Sequence, residues 1–520
     1  MAGGWNVERI YNHGEGIFRV SDRFYPEFPP GAVWDALNCV YENEADNPET
    51  MRGASFLGAT AMGGAVTGLF DVDSGTKLVA SCSDGKFYEY SGTDWAAAGT
   101  GTRKASNTTT ATLRWSACMF YGATTSKDLL IAANGTDAPV KYEATSGWTT
   151  LTDAPATGNF PVSWMGRLWL FSGDIAYASA PNNCEGWTIA GGAKQMPVAR
   201  GQDGSITGAA AFGDCILVFK RSSVYRIRPT QTFTQADIGI VASNIGGVSH
   251  RCITQAGSEG AENLVFASEQ GMEMVGSTNT EIGYAVQNIS RWPKPLMEER
   301  NKTAMNQAWS LFNIDRRELY FSFPTGSQTV PKTVMVANFA RPRKAPRWTR
   351  LNRQNLTAGC ISKGSGADYI QYVGNSDGRV LKMHDASVSD WGGSPFLSQI
   401  ITQYHTQKRR EQIKEYGWSF LDVLTSANYP VAVNQVMMRR GLPAAESNIH
   451  TLNVTGVESG WGEGYWGVAT WGGTNYAGER IRPITARRGV GLSHIIQSYG
   501  WFRLNGEVIA SRYKTDQISA

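Results

Sequence analysis

The chain has 520 residues, a formal net charge of +3 and only 18% charged residues. That balance excludes wholesale coating of nucleic acid and gives no reason to expect an acidic substrate. No apolar run reaches the roughly 18 residues needed to span a membrane, and residues 1–9 lack the apolar core of a signal peptide.

Residues 1–67 form an opening segment. It holds a Pro-Pro-Gly turn at Pro29–Gly31, an acidic stretch from Glu42 to Glu49 and too little apolar content to fold alone. Short strands and loops that pack on another part of the molecule, a C-terminal β platform, are expected here.

From Gly68 to Asp385 a pattern repeats. Gly68–Val72, Lys77–Ser81 and Gly85–Tyr90 are short β-type runs separated by Gly, Ser and Asp, and Trp95 follows. The same order returns at Ala117, Val162, Thr207, Cys252, Ala308 and Thr357. Unit starts lie about 40 to 55 residues apart, which suits a four-stranded propeller blade. Leu129–Ile131 and Cys215–Phe219 are continuous apolar runs, as in strands covered on both faces. The expected fold is all-β: a β-propeller of about seven blades over residues 68–390, with a β-sandwich-like platform over 391–520. A pair of large sandwiches without circular closure is the alternative. One short helix is expected between Gln287 and Gln307.

A basic linker interrupts the sixth unit. Arg341, Arg343, Lys344, Arg347, Arg350 and Arg353 carry six positive charges with no acid between them. It reads either as a phosphate- or partner-facing loop or as a solvated blade connection. After Asp385 come a strand at Ser394–Tyr404, a charged turn or helix at Gln407–Tyr416, and strands around Phe420, Val431, Ser493 and Trp501. Trp461, Trp466 and Trp471 recur every five residues among glycines, a spacing that fits neither a helix face nor a strand face. They read as a sugar-stacking platform or as packing at an interface.

Chemistry-bearing motifs are missing. There is no G-x-x-x-x-G-K-[ST], no H-E-x-x-H and no G-x-S-x-G. The six histidines are isolated, so a role for any of them needs tertiary convergence. Asp71, Asp73 and Asp84 sit in turn contexts rather than as the facing pair a glycosidase needs. Seven scattered cysteines without a C-x-x-C read as buried free thiols, which fits assembly in a reducing compartment. No catalytic, cofactor or metal residue is expected.

Three stretches, in order, resemble the tail-nozzle proteins of short-tailed bacteriophages, also called packaged-DNA-stabilisation or tubular tail proteins. The first is Pro30-Gly31-Ala32 with Asp35–Asn38 and Arg52-Gly53. The second is Asp214–Ile227, followed by Gly247–Ser249, Leu264–Val275 and Asp315–Phe321. The third is Arg487–Gly491 with His494–Ile496 and Phe502–Gly506. The resemblance implies a propeller and a β platform built from both ends of the chain. It implies a non-enzymatic virion protein, assembled in the host cytoplasm, with six copies in a ring beneath a head-to-tail adaptor. Fibres or spikes would attach nearby, and double-stranded DNA would pass through without sequence-specific binding. Arg341, Arg343, Lys344, Arg347, Arg350, Trp461, Trp466 and Trp471 are the candidates for its interfaces or channel. A carbohydrate-binding or glycan-degrading propeller of a phage tail is the alternative.

Overall fold

The computed structural model describes residues 6–10, 13–19, 28–41, 47–72, 77–97, 114–122, 127–143, 147–229, 236–256, 263–277, 284–341, 345–352, 355–363, 368–385, 390–406, 412–426, 430–439, 442–446, 450–452, 474–481 and 488–513. Six four-stranded antiparallel sheets and four antiparallel strands of a larger sheet close into a seven-bladed propeller. The blades span Val66–Ala97, Ser116–Thr150, Asn159–Pro197, Gly208–Ser243, Thr254–Asn288, Trp309–Asn352, and Leu356–Asp385 with a borrowed fourth strand. First strands of neighbouring blades lie against one another around the axis, and the 3-10 turn His250–Cys252 lies against the first strand of the fourth blade.

The second strands explain why the blades pack. Cys215–Phe219 and Glu318–Phe323 are buried along their whole length, because adjacent blades cover both faces. Phe212, Leu217 and Phe219 of the fourth blade interlock with Leu264, Phe266 and Val275 of the fifth. Val162 and Trp169 of the third meet Ile216 and Val218 of the fourth.

Ring closure uses a strand from the opening segment. Gly53–Phe56 pairs with Val380–Asp385, setting Phe56 opposite Leu381 and Ser55 opposite Lys382. The Thr357 hydroxyl of the seventh blade donates to the Val66 carbonyl of the first at 2.5 Å. Gly374 permits this approach, since a Cβ there would lie 2.5 Å from Val66 Cγ1. The expectation that all of residues 1–67 pack on the platform is therefore corrected: the last blade takes Gly53–Phe56, and Val66 already belongs to the first. Between blades five and six a short α-helix, Lys294–Glu298, and a 3-10 turn, Lys302–Gln307, fill the region where a helix is expected.

The platform is a two-sheet sandwich that combines strands from the opening segment with strands that follow the propeller. Val33–Leu37 pairs in parallel with the sixth blade through Leu37 and Arg350, and antiparallel with Ser398–Thr402. The sixth blade thus runs unbroken into a platform sheet that continues through Gly491–Ser498, Val431–Arg439 and Leu442–Glu446. The second sheet orders Cys39–Val40, Glu49–Thr50, Phe502–Tyr513, Lys414–Ser426 and Thr474–Ile481, with Asn6–Ile10 also on Phe502–Tyr513. Ile400, Leu421, Val423, Val433, Ile496, Phe502 and Leu504 fill the space between the sheets.

The charged segment Gln407–Tyr416 is not a helix where it is described: Lys414–Tyr416 opens the strand Lys414–Ser426. A bulge between Tyr416 and Trp418 explains the misreading. Lys414 and Tyr416 are buried before it; Ser419, Leu421, Val423 and Thr425 are buried after it. The inward phase slips by one residue, so the alternation of a strand is broken in the sequence.

Candidate interface where the propeller meets the platform

The outer strand of the sixth blade, Arg347–Asn352, is where the basic linker ends. The opening segment lies along it. Gly16, at φ +79°, lets the backbone in: a Cβ there would stand 2.8 Å from the Trp348 amide nitrogen. Ile17 then donates to the Trp348 carbonyl at 2.9 Å, and Val33 to that of Gly16 at 3.0 Å.

Asp35 is buried at this seam, 2% exposed. It takes a forked pair of bonds from Arg350, Nε to Oδ1 at 2.6 Å and Nη2 to Oδ2, and Arg19 approaches the same carboxylate at 3.3 Å. A planar guanidinium matches a carboxylate in this way, and the bonds are charge-assisted. Three residues on, Asn38 adopts a left-handed φ of 55°. Its side chain donates to Leu397 O at 2.7 Å and accepts from Asn352 N at 3.1 Å. One asparagine thus ties the opening segment, the sixth blade and the chain beyond the propeller together.

The other described linker cations are also engaged within the chain. Arg347 is 2% exposed, lies over the Tyr41 ring at 4.6 Å and donates to Asn338 Oδ1 at 2.7 Å. Arg341 pairs with Glu15 at 2.8 Å. Arg341, Arg347 and Arg350 therefore form an internal joint between the opening segment and the sixth blade. Arg343, Lys344, Trp461, Trp466 and Trp471 lie outside the described residues.

The propeller hub carries cations of its own. Arg251 leads into the fifth blade and reaches across to donate to Thr357 O of the seventh at 2.7 Å. Burial, with the Arg114 guanidinium nearby, pushes Arg251 down to about 9. Among the three aspartates weighed for hydrolysis, Asp84 accepts from Lys86 N at 3.1 Å and from the Tyr88 hydroxyl at 2.7 Å, a turn-stabilising role. Asp71, expected in a turn, lies in the innermost strand of the first blade, and Asp73 is outside the described residues. The seven cysteines are free, five buried and two half-buried. Burial pushes the Cys118 and Cys252 thiols up to about 12, away from the reactive thiolate.

What the sequence does not reveal is a convergence inside the platform: His13, His405 and His494 gather around Glu507. Their separation along the chain leaves no spacing signal.

No family model and no curated protein sequence matches the chain. Among solved structures it is similar to the extracellular domain of a hybrid two-component system from B. thetaiotaomicron, with a TM-score of 0.42 and 10% identity over 70% of this chain and 42% of that one. It is also similar to BBS1N in complex with ARL6DN, with a TM-score of 0.38 and 13% identity over 64% of this chain and 97% of that one. The chain spans less than half the length of the bacterial extracellular domain it matches.

Proposed function

We propose that the protein is a structural component of a bacteriophage virion, the tail nozzle beneath the head-to-tail adaptor, where it retains packaged DNA and forms the conduit for its ejection. The observation that carries this reading is the construction of the platform. Asn6–Ile10, Val33–Leu37, Cys39–Val40 and Glu49–Thr50 from one end of the chain interleave with Ser398–Thr402 and later strands from the other, as the resemblance to nozzle proteins implies. In this reading six copies form a ring, with the adaptor above and fibres or spikes attached nearby. The conduit is the bore of that ring, not the hub of one propeller, which Arg251 crosses. A net charge of +3 suits a wall past which DNA slides, because phosphate neutralisation by many cations creates a strong, salt-dependent hold.

Antibody labelling of gradient-purified particles, imaged by negative-stain electron microscopy, tests the assignment. Label confined to the distal tail is expected. Protein found only in the soluble fraction, with unlabelled particles, would overturn it. Hydrolysis of host polysaccharide that one carboxylate substitution abolishes would favour the glycan-degrading alternative instead.

A further inference from the structure

Three imidazoles and two carboxylates meet inside the platform. Glu507, on Phe502–Tyr513, places Oε2 2.8 Å from His494 Nδ1. Its Oε1 is 2.6 Å from His405 Nε2 and 3.8 Å from His13 Nε2. His494 Nε2 lies 2.9 Å from Ser419 Oγ, which accepts from Gln435 Nε2 at 2.8 Å. That chain of bonds has the serine hydroxyl donating to Nε2 and His494 donating from Nδ1 to the carboxylate. Glu8, on the N-terminal strand, comes within 4.0 Å of His405 Nδ1. All four central side chains are 2% exposed or less.

His13 is the odd member. Its backbone is pinned: its amide donates to Asn47 Oδ1 at 3.1 Å and its carbonyl accepts from the Tyr41 hydroxyl at 2.9 Å. Its ring is buried, and neither ring nitrogen has a hydrogen-bond partner among the described residues. The groups facing it are Glu507 from one platform sheet, His494 from the other and His405 from the segment between them. Lys414, on the strand carrying Ser419, turns its ammonium to the carbonyls of Gln412 and Val490.

A shared metal ion does not fit this arrangement. Two ligands of one ion bound at about 2.0–2.2 Å stand about 3 Å apart or more, whereas His405 Nε2 and Glu507 Oε1 are 2.6 Å apart. His494 is engaged at both nitrogens. Among the described residues no group of three His, Cys, Asp or Glu has a metal-holding arrangement. The cluster is a proton network.

We propose that His13 is an acid-sensitive latch holding the N-terminal strand Asn6–Ile10 on the platform: a proton on its imidazole adds a cation to a buried site whose one central carboxylate already serves His405 and His494, and the strand detaches from Phe502–Tyr513. Burial is the main cause that lowers His13 from 6.5 to about 4. Release returns the ring to water, where it takes a proton readily. Because the docked value is depressed, the docked state is fully favoured above pH 6.5 and loses ground as pH falls toward 4. His405, His494 and Glu507 stay on the platform when the strand leaves, so their mutual pairing does not set this window; Glu8 does leave His405, and that loss favours docking in acid, against the larger effect of His13. Detachment bares the edge from Glu507 to Ser511, now paired with Asn6–Ile10, and an open edge is a template for strand addition. The proposal stands independently of the tail reading.

Hydrogen exchange on the full-length protein tests it. Protection factors over Asn6–Ile10, corrected for the intrinsic rate, are expected to fall about 30-fold between pH 7.5 and pH 5, with the blade amides unchanged. His13→Gln, which takes up no proton, is expected to flatten that response. A pH-independent protection in the unsubstituted chain, or the same fall in H13Q, would overturn the latch. Exchange at the imidazole C2 position, read by mass spectrometry on the unsubstituted chain, removes any dependence on the variant's folding. A His13 midpoint near 4 supports the proposal, and one near 6.5 overturns it.

Discussion

Two seams in this molecule are built from opposite materials. Between the fourth and fifth blades, Leu217 and Phe219 meet Leu264 and Phe266 in an apolar centre, with Tyr284 donating to Asp214 and Arg221 pairing with Glu269 only toward its exposed edges. Between the sixth blade and the platform, Asp35 meets Arg350 and Arg19, Arg347 lies over Tyr41, and Asn38 bridges three chain segments. The first kind tolerates exchange of one oily residue for another of similar volume. The second depends on each partner, because a buried charge left alone is costly. Repetition built the first; the meeting of distant chain segments built the second.

The largest expected effect comes from breaking the closure. Deletion of residues 1–57 removes Gly53–Phe56, which leaves Val380–Asp385 as an open edge beside the first blade, and also removes the platform strands Val33–Leu37, Cys39–Val40 and Glu49–Thr50. That protein is expected to lose its cooperative melting transition and aggregate. Deletion of residues 1–12 takes Asn6–Ile10 from the platform but keeps Gly53–Phe56, and is expected to leave the propeller folded. Size-exclusion chromatography and circular dichroism compare the two. Equal melting of both with the full chain would mean that the borrowed strand does not close the ring.

At the polar seam, Asp35→Ala leaves two partly exposed guanidinium groups facing a missing carboxylate and is expected to cost about 1–3 kcal/mol. The loss is expected to separate platform unfolding from propeller unfolding in urea, giving two transitions where there was one. At the apolar seam, Leu217→Ala is expected to cost about 3 kcal/mol through the cavity it opens, without splitting the transition. If the two variants unfold alike, the contrast between the seams fails.

The sequence reveals one seam far better than the other, for a physical reason. Second strands such as Cys215–Phe219 are buried on both faces and appear as unbroken apolar runs. Outer strands such as Ala236–Ser243 and Tyr284–Asn288 are only partly covered and carry no such run. Asp35, Asn38 and the linker arginines were each conspicuous in the sequence, but their pairing was not. Asp35 and Arg350 are joined by a parallel strand contact across 315 positions. The platform cluster is harder still, since His13, His405, His494 and Glu507 come from four separate elements and no two share a recognisable spacing. The proposed function rests on resemblance, because a load-carrying wall of the kind proposed would need shape and interfaces rather than a compact motif.

The pH response of the platform is a smaller effect, and it distinguishes the two seams again. Burial opposes charge on His405, but the Glu507 carboxylate overrides it and holds His405 above its usual range. Its contribution is full below pH 6.5 and is lost as pH rises through the raised value. Glu507 is held well below its usual range by His405 and His494 despite its burial. Its contribution is present above pH 4.5 and is lost as pH falls through the lowered value. Protection of the Phe502–Tyr513 amides is expected to decline on both sides, while the Cys215–Phe219 amides of the apolar seam change little. His405→Gln is expected to flatten the alkaline side and, because His405 is the larger of the two histidine influences holding Glu507 down, to soften the acid side too. An unchanged alkaline decline in that variant would remove His405 from the account.

The smallest effect lies within the basic linker and shows how burial sorts residues of one type. Arg341 and Arg347 are six positions apart and look equivalent in the sequence. Arg341 pairs with Glu15 at the surface, where an ion pair contributes about 0–1 kcal/mol. Arg347 is buried, donates to Asn338 and stacks on Tyr41. Removing its guanidinium takes one of two donors from Asn338 Oδ1, which still accepts from Ala340 N, at about 0.5–1.5 kcal/mol, and forfeits the cation–π contact. Arg341→Ala is therefore expected to shift the urea midpoint barely, and Arg347→Ala to lower it clearly. Similar shifts for both would mean that Arg347 is no more committed to the joint than Arg341, and the linker would return to being a charged loop available to a partner.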